Sequence, residues 1–393
     1  MLEVIIFICC IVIILCIGII LGHFLKPVKK AVSSIDDGDL KYYLQAMELV
    51  ARNDFDTAIR LLEVLCKGSP DKLYLLLTLG NLYRSRGQFE KAIKIHQGIL
   101  AKPQLERVLR SQTYFSLGLD YKSAGFIDRG ILAFNKVLKI DRHNTVCLEY
   151  LRELFEDSHD WESAFETEIK LLKLTNSKDY KVAAYLKSRI GREYLDDGRF
   201  SDAMKCFKQA IKFDKTCFLP YIYMGDAYIQ KEKDEEAEKV FKKALEQNPK
   251  LSFLLHDKFE KIYSEGTEKP SEKLIRLHYE ILEKAPDDIP TLMHLAEYYT
   301  SYKMNKDAEY VYEKILDKNK NYFPALKRLT ELYFNTDQLE KAYTSHMVIL
   351  KSDILDEKSY ICSNCRYKSS WFFWRCPHCK SWDSFVKGLE EGA

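Results

Sequence analysis

A pattern of small and aromatic residues recurs along the middle of this chain at a fixed spacing, and it restricts the fold more than any other feature. Gly191, Tyr194 and Ala203 define it: a small residue, an aromatic three later, then a small residue nine beyond that. Gly225, Tyr228 and Ala237 repeat it 34 residues on, and Gly80, Tyr83 and Ala92 carry it earlier. Ala296/Tyr299/Ala308 and Thr330/Tyr333/Ala342 are again 34 apart. Weaker copies start near Ala46, Gly118 and Arg152, and a degenerate one lies between Phe259 and Pro286, making about nine units between Lys41 and Ser352.

A period of 34 with these residues is the tetratricopeptide spacing, two antiparallel helices per unit. Small residues such as Gly225 and Ala237 let the two backbones approach, and aromatics such as Tyr228 and Phe241 fill the space beside them. One unit cannot bury its own apolar face, so neighbours stack into a superhelix. The expected fold is therefore all-α, with an array over 41–352. The scarcity of Gly (16) and Pro (10) in 393 residues agrees, because turn-rich β architectures need both. The first helix of each pair lines a concave face suited to holding segments of other proteins. Asn81, Arg84 and Lys122 fall on first-helix positions facing that groove and are the candidate partner-binding residues.

Ahead of the array, Val4 to Leu25 is a run of 22 residues without formal charge. As a helix it would be about 33 Å long, enough to cross a bilayer core. A cleaved secretory signal would carry a basic start and a small-residue cleavage site. Only Met1, Leu2 and Glu3 precede the run, and no such site follows. Residues 1–25 are therefore expected to be a single transmembrane anchor and 26–40 a juxtamembrane linker. Lys26, Lys29 and Lys30 follow the span directly, which by the positive-inside bias puts the bulk of the chain on the cytoplasmic side. Gly18 and Gly22 form a small-xxx-small pair through which two such helices could pack, leaving a homo-oligomer open. Nucleic acid is not an expected partner: 60 Lys and Arg against 58 Asp and Glu leave a net charge of only +2.

Of 11 cysteines, Cys66, Cys147, Cys206 and Cys217 are scattered singly through helical patterns and read as small buried hydrophobes. Cys362, Cys365, Cys376 and Cys379 form two Cys-x-x-Cys pairs within a tail expected to occupy 353–393 as a rubredoxin-like or zinc-ribbon module. Two such turns facing each other place four thiolates tetrahedrally, which suits one zinc or one iron ion. A module this small folds largely on the free energy of its metal. His378 lies inside the second pair and is expected to be exposed, since four cysteines already complete the shell. Tyr360, Tyr367, Trp371, Phe372, Phe373, Trp374, Trp382 and Phe385 exceed what the tail can bury alone. Some of them are expected to dock on the last repeats or on a partner.

Anchor, array and tail together resemble the lipopolysaccharide assembly protein B family along essentially the full length. The most specific stretches are "TLGNLYRSRGQFEKAIKIHQGIL" from Thr78 and "CSNCRYKSSWFFWRCPHCKSW" from Cys362, with Trp374, Pro377 and Trp382 matching position by position. Arg366 departs from the pattern, because the family and rubredoxins usually carry Gly after the second cysteine. In that turn an Arg costs about a kcal/mol or more. The resemblance implies a non-catalytic inner-membrane adaptor facing the cytoplasm. It would regulate lipopolysaccharide synthesis by bringing the committed-step lipid A deacetylase to a membrane-bound AAA+ metalloprotease, with links to the lipopolysaccharide transport proteins. The array contains no Gly-x-Ser-x-Gly elbow, Walker loop or His-Glu-x-x-His, which weighs against a hidden hydrolase. The competing expectation is a membrane-tethered electron-transfer protein, since a four-thiolate iron site can change redox state.

Overall fold

The structure is a computed structural model that describes residues 37–67, 72–264, 269–351 and 360–387. The anchor expected over 1–25, with Gly18 and Gly22, lies outside these residues. The segment expected as a linker is described only from Asp37, where it is already helical. Among the described residues no helix is long and apolar enough to cross a membrane.

The chain divides into two compact units, Met1–Thr175 and Asn176–Ala393. The first contains four helical hairpins: α1 (Asp37–Ala51) with α2 (Phe55–Lys67), α3 (Leu73–Ser85) with α4 (Phe89–Leu100), α5 (Arg107–Ser123) with α6 (Ile127–Ile140), and α7 (Thr145–Asp157) with α8 (Trp161–Thr175). In the second, α9 (Lys181–Asp196) pairs with α10 (Phe200–Phe213), and α11 (Leu219–Ile229) with α12 (Asp234–Gln247). The degenerate copy follows as a 3₁₀ segment, Pro249–Leu254, and the short α13 (His256–Ser264), packed with α14 (Glu272–Lys284). Then come α15 (Ile289–Ser301) with α16 (Asn305–Lys318), and α17 (Phe323–Asn335) with α18 (Leu339–Lys351).

The repeat pattern has a direct packing cause. Four glycines on first helices each receive a ring from the residue sixteen further on, in the second helix. A Cβ on Gly225 would stand 2.0 Å from the Phe241 ring; on Gly191, 2.5 Å from Phe207; on Gly118, 2.7 Å from Phe134. Gly80 plays the same part for a histidine, His96. The hairpin turns repeat as well. Asn53 and Gly87 lie 34 apart, as do Gly198 and Glu232, and Lys303 and Asp337, and all have positive φ. Non-glycine residues accept this left-handed conformation at a steric cost, because the turn must reverse the chain within two or three residues.

The tail corrects the all-α expectation: the fold is mostly helical with a small stranded module. Strands β1 (Tyr360–Cys362), β2 (Lys368–Ser369) and β3 (Phe385–Lys387) form an antiparallel sheet in the order β2-β1-β3. Tyr360 pairs with Ser369 on one side, and Cys362 with Phe385 on the other.

The tail's seat also corrects an expectation. Its aromatics dock on the early hairpins of the second unit, not on the last repeats. Trp374 and Trp382 pack with Ala184, Tyr185, Cys217 and Leu219. Phe253 meets Tyr360 at 5.9 Å and Phe372 at 5.7 Å between ring centroids. Tyr185, Leu219 and Phe253 are successive copies of one repeat position, 34 residues apart. A three-rung ladder of large apolar side chains on consecutive first-helix segments is what a compact aromatic knot needs in order to hide its surplus rings. The last repeats offer none at that position: the next copy is Asp287.

Candidate functional site

The four cysteines converge on one metal site. Their sulfurs all lie within 4.8 Å of one another, with Cys362 Sγ 3.6 Å from Cys379 Sγ and Cys365 Sγ 3.7 Å from Cys376 Sγ. Zinc–sulfur bonds of about 2.3 Å in a tetrahedron put sulfurs about 3.8 Å apart, so the set fits one ion of that class. Each knuckle is a tight turn. The Arg366 N–H donates to the Cys362 carbonyl at 2.9 Å, and the Lys380 N–H to the Cys376 carbonyl at 2.9 Å. Arg366 (φ 61°) and Lys380 (φ 60°) take the left-handed conformation the turn demands, so Arg366 does adopt the geometry usually given to Gly.

Electrostatics favour a bound cation. Burial opposes ionisation of Cys379, yet hydrogen bonding from Ser381 and Asn364 outweighs it and holds the thiol down at about 5. Burial and the neighbouring sulfurs push Cys365 up to about 12. Without a cation the four sulfurs cannot all ionise together; a metal removes that conflict. Ser384, whose Oγ lies 3.2 Å from Cys362 Sγ, Ser381 and Asn364 were not singled out from the sequence. Their only signal there is closeness to the cysteines. His378 is exposed, with its ring flat against Tyr367 at 5.9 Å.

The first unit carries a second feature, a cavity of about 530 Å³ on the first-helix face. Tyr74, Asn81, Gln112, Phe115 and Val146 are among its walls. Tyr74, Gln112 and Val146 each lie six residues before the small-residue position of their repeat, as Tyr185 and Leu219 do beneath the tail. The repeat position that carries the aromatic knot in one unit thus lines an open cavity in the other.

The three groove residues have different surroundings. The Asn81 side chain borders the cavity, and its Oδ1 is buried without a hydrogen-bond partner among the described residues. Arg84 Nη1 donates to Asp120 Oδ1 at 2.9 Å, and the fully buried Asp120 also accepts from His96 Nδ1 at 2.5 Å. Lys122 is held by Glu153 on the next first helix and lies 4.7 Å from the centroid of the Tyr150 ring. Of the three, only Asn81 lines the cavity.

Comparison with known proteins agrees with both halves of this picture. The rubredoxin metal binding domain family matches residues 360–387. Tetratricopeptide repeat families match residues 75–108, 184–217 and 218–251. Lipopolysaccharide assembly protein B of Escherichia coli K12 is 23% identical over 355 residues, 88% of this chain and 90% of that protein. The Haemophilus influenzae protein of the same name is 22% identical over 381 residues, 91% of this chain and 92% of that one. Among solved structures, that of the MamA protein covers 47% of this chain and 96% of its own at 22% identity, with a TM-score of 0.34.

Proposed function

We propose that this chain is a non-catalytic adaptor at the inner membrane that regulates lipopolysaccharide synthesis. The anchor over 1–25 holds the array at the cytoplasmic surface, where confinement raises its effective concentration near a membrane-bound AAA+ metalloprotease. The first-unit groove takes a client protein, and the client is the committed-step lipid A deacetylase. Similarity to lipopolysaccharide assembly protein B along most of the chain supports the setting. One observation carries the adaptor reading: in the second unit the chain's own aromatic tail occupies the ladder Tyr185, Leu219 and Phe253, while equivalent positions in the first unit line a cavity of about 530 Å³. A surface that accepts an aromatic segment in one unit is offered free in the other. Asn81, which lines the cavity, is the polar contact we assign to such a segment; Arg84 and Lys122, on the same first-helix positions, would contribute charge.

The test is client half-life after blocking translation. Cells would carry the full-length chain, a chain lacking residues 1–25, a chain lacking the tail, a Val146→Arg chain, or none. Val146 is half exposed at the cavity wall, so a charge there blocks the groove without disturbing the core. Rapid client turnover only with the full-length chain is expected. Equal half-lives in all five strains would overturn the adaptor reading and favour the electron-transfer alternative.

A further inference from the structure

Away from the cysteine site, three histidines converge in the second unit, on α13, α14 and α15. The His256 and His294 rings lie 4.6 Å apart, His278 and His294 5.1 Å apart, and His256 and His278 5.4 Å apart. His278 occupies the repeat position held by Phe207, Phe241 and Tyr312 in neighbouring hairpins, and it is 1% exposed. A ring there is required by packing; a histidine is not.

Hydrogen bonding fixes how the protons are placed. His278 Nδ1 lies 2.7 Å from the Leu274 carbonyl, which only accepts, so Nδ1 carries the hydrogen. Neutral His278 then presents a bare Nε2, 2.9 Å from His294 Nδ1, and His294 must donate through that atom. This leaves His294 Nε2 bare as well. It faces Glu260 Oε2 at 3.4 Å and Asp257 Oδ1 at 3.8 Å. Burial pulls both His278 and His294 down to about 4, which keeps both rings neutral near pH 7. Burial and the nearby Asp257 push the Glu260 carboxyl up. Among the described residues, neither carboxylate pairs with a lysine or arginine; adjacent Lys258 is spent on Asp226 at 2.5 Å. A nitrogen lone pair and two carboxylates thus face one point that lacks a positive charge.

We propose that His294 Nε2, Glu260 and Asp257 hold a divalent metal ion of the zinc class, which ties α13 to α15 across consecutive repeats. The spacing suits it: bonds of about 2.1 Å in a tetrahedral shell place ligand atoms about 3.4 Å apart. His278 serves as the outer partner, accepting from the far ring nitrogen of the ligating histidine, the arrangement that orients metal-bound imidazole. The fourth position is left to water. The site would stiffen the one hairpin whose first helix is short, only nine residues in α13.

The experiment uses the tag-free full-length chain, equilibrated with Zn²⁺ and analysed for bound metal, then repeated with Co²⁺. Two ions per chain are expected. Glu260→Gln and His294→Gln should each weaken the second ion at least tenfold and leave the sulfur-to-cobalt charge-transfer band of the cysteine site unchanged. Glu260 is part-exposed, so its variant answers the question even if His294→Gln folds poorly. One ion per chain in the unaltered protein would mean that a shared proton occupies the point instead, and the proposal fails. Two ions retained at full affinity in Glu260→Gln would overturn it equally.

Discussion

The indole of Trp382 stacks on the phenol ring of Tyr185 with centroids 5.0 Å apart and 16° between planes, joining the metal-binding tail to a helix 197 residues earlier. Lys181 Nζ and Asp383 Oδ2, 3.2 Å apart, flank the stack. Tyr185 is fully buried. Trp382→Ala should therefore destabilise the second unit by about 2–4 kcal/mol through lost area and the lost ring pair. Tyr185→Ala should show strong coupling to it in a double-mutant cycle. Denaturant titration with hydrogen exchange on α9 measures this; protection of α9 unchanged in Trp382→Ala would refute the docking.

The cysteines should separate into two chemical classes. Burial pushes Cys147 up to about 12 and Cys66 to about 11, and raises Cys217 further still. These thiols stay protonated and should resist alkylation at pH 8 in the native chain. Once a chelator strips the tail, Cys379, held at about 5, should be modified first. Mass spectrometry of labelled peptides reads the order directly. Cys376→Ser should lose the tail metal and expose Trp374 and Trp382; full metal occupancy in that variant would contradict the four-cysteine assignment.

Two glycines in helices should respond in opposite directions. Gly225→Ala places a methyl 2.0 Å from the Phe241 ring and should cost about 1–3 kcal/mol of overpacking strain. Gly98, in α4, has nothing within 4 Å of its would-be Cβ. Gly98→Ala should stabilise the first unit by about 0.5–1 kcal/mol, through helix propensity and a less flexible unfolded chain. Thermal melts of the two variants would show whether the spacing argument holds.

Arg84 and Lys122, expected from the sequence to face the groove alike, should differ sharply in stability. Arg84→Met leaves Asp120 buried without its guanidinium partner, at a cost of about 3–5 kcal/mol. Lys122→Met removes a partly exposed pair with Glu153 and should cost about 1 kcal/mol or less. Equal unfolding midpoints for the two would show that Asp120 is not held as described.

Acid should weaken the second unit through His278. Its folded value is about 4 against 6.5 for an ordinary histidine. Between those values the unfolded chain binds a proton that the folded chain refuses, so stability rises with pH across the window. His294, also held at about 4, adds to it; going downward from pH 6.5, in zinc-free buffer, the two together should cost up to about 3 kcal/mol per pH unit, levelling off below 4. His278→Gln should roughly halve that slope, leaving the part due to His294, as urea titrations at successive pH values would reveal.

Several elements were readable from the sequence because their causes are local. The 34-residue period reports contacts inside one hairpin, such as Gly225 against Phe241, and every copy must satisfy them for itself. The Cys-x-x-Cys spacing reports a turn five residues long, which Arg366 and Lys380 close whatever the rest of the chain does. The tail's surplus of rings was legible too, but not their destination. Tyr185, Leu219 and Phe253 look like ordinary core residues until stacking brings them into one ladder, and nothing in the linear order ties that ladder to Trp382. Only the tertiary structure could decide that Arg84 turns to Asp120, and that His256, His278 and His294, from three different helices, share one patch. Periodicity records what each repeat owes to itself; contacts between distant elements depend on how repeats stack, and stacking leaves no mark at any fixed spacing.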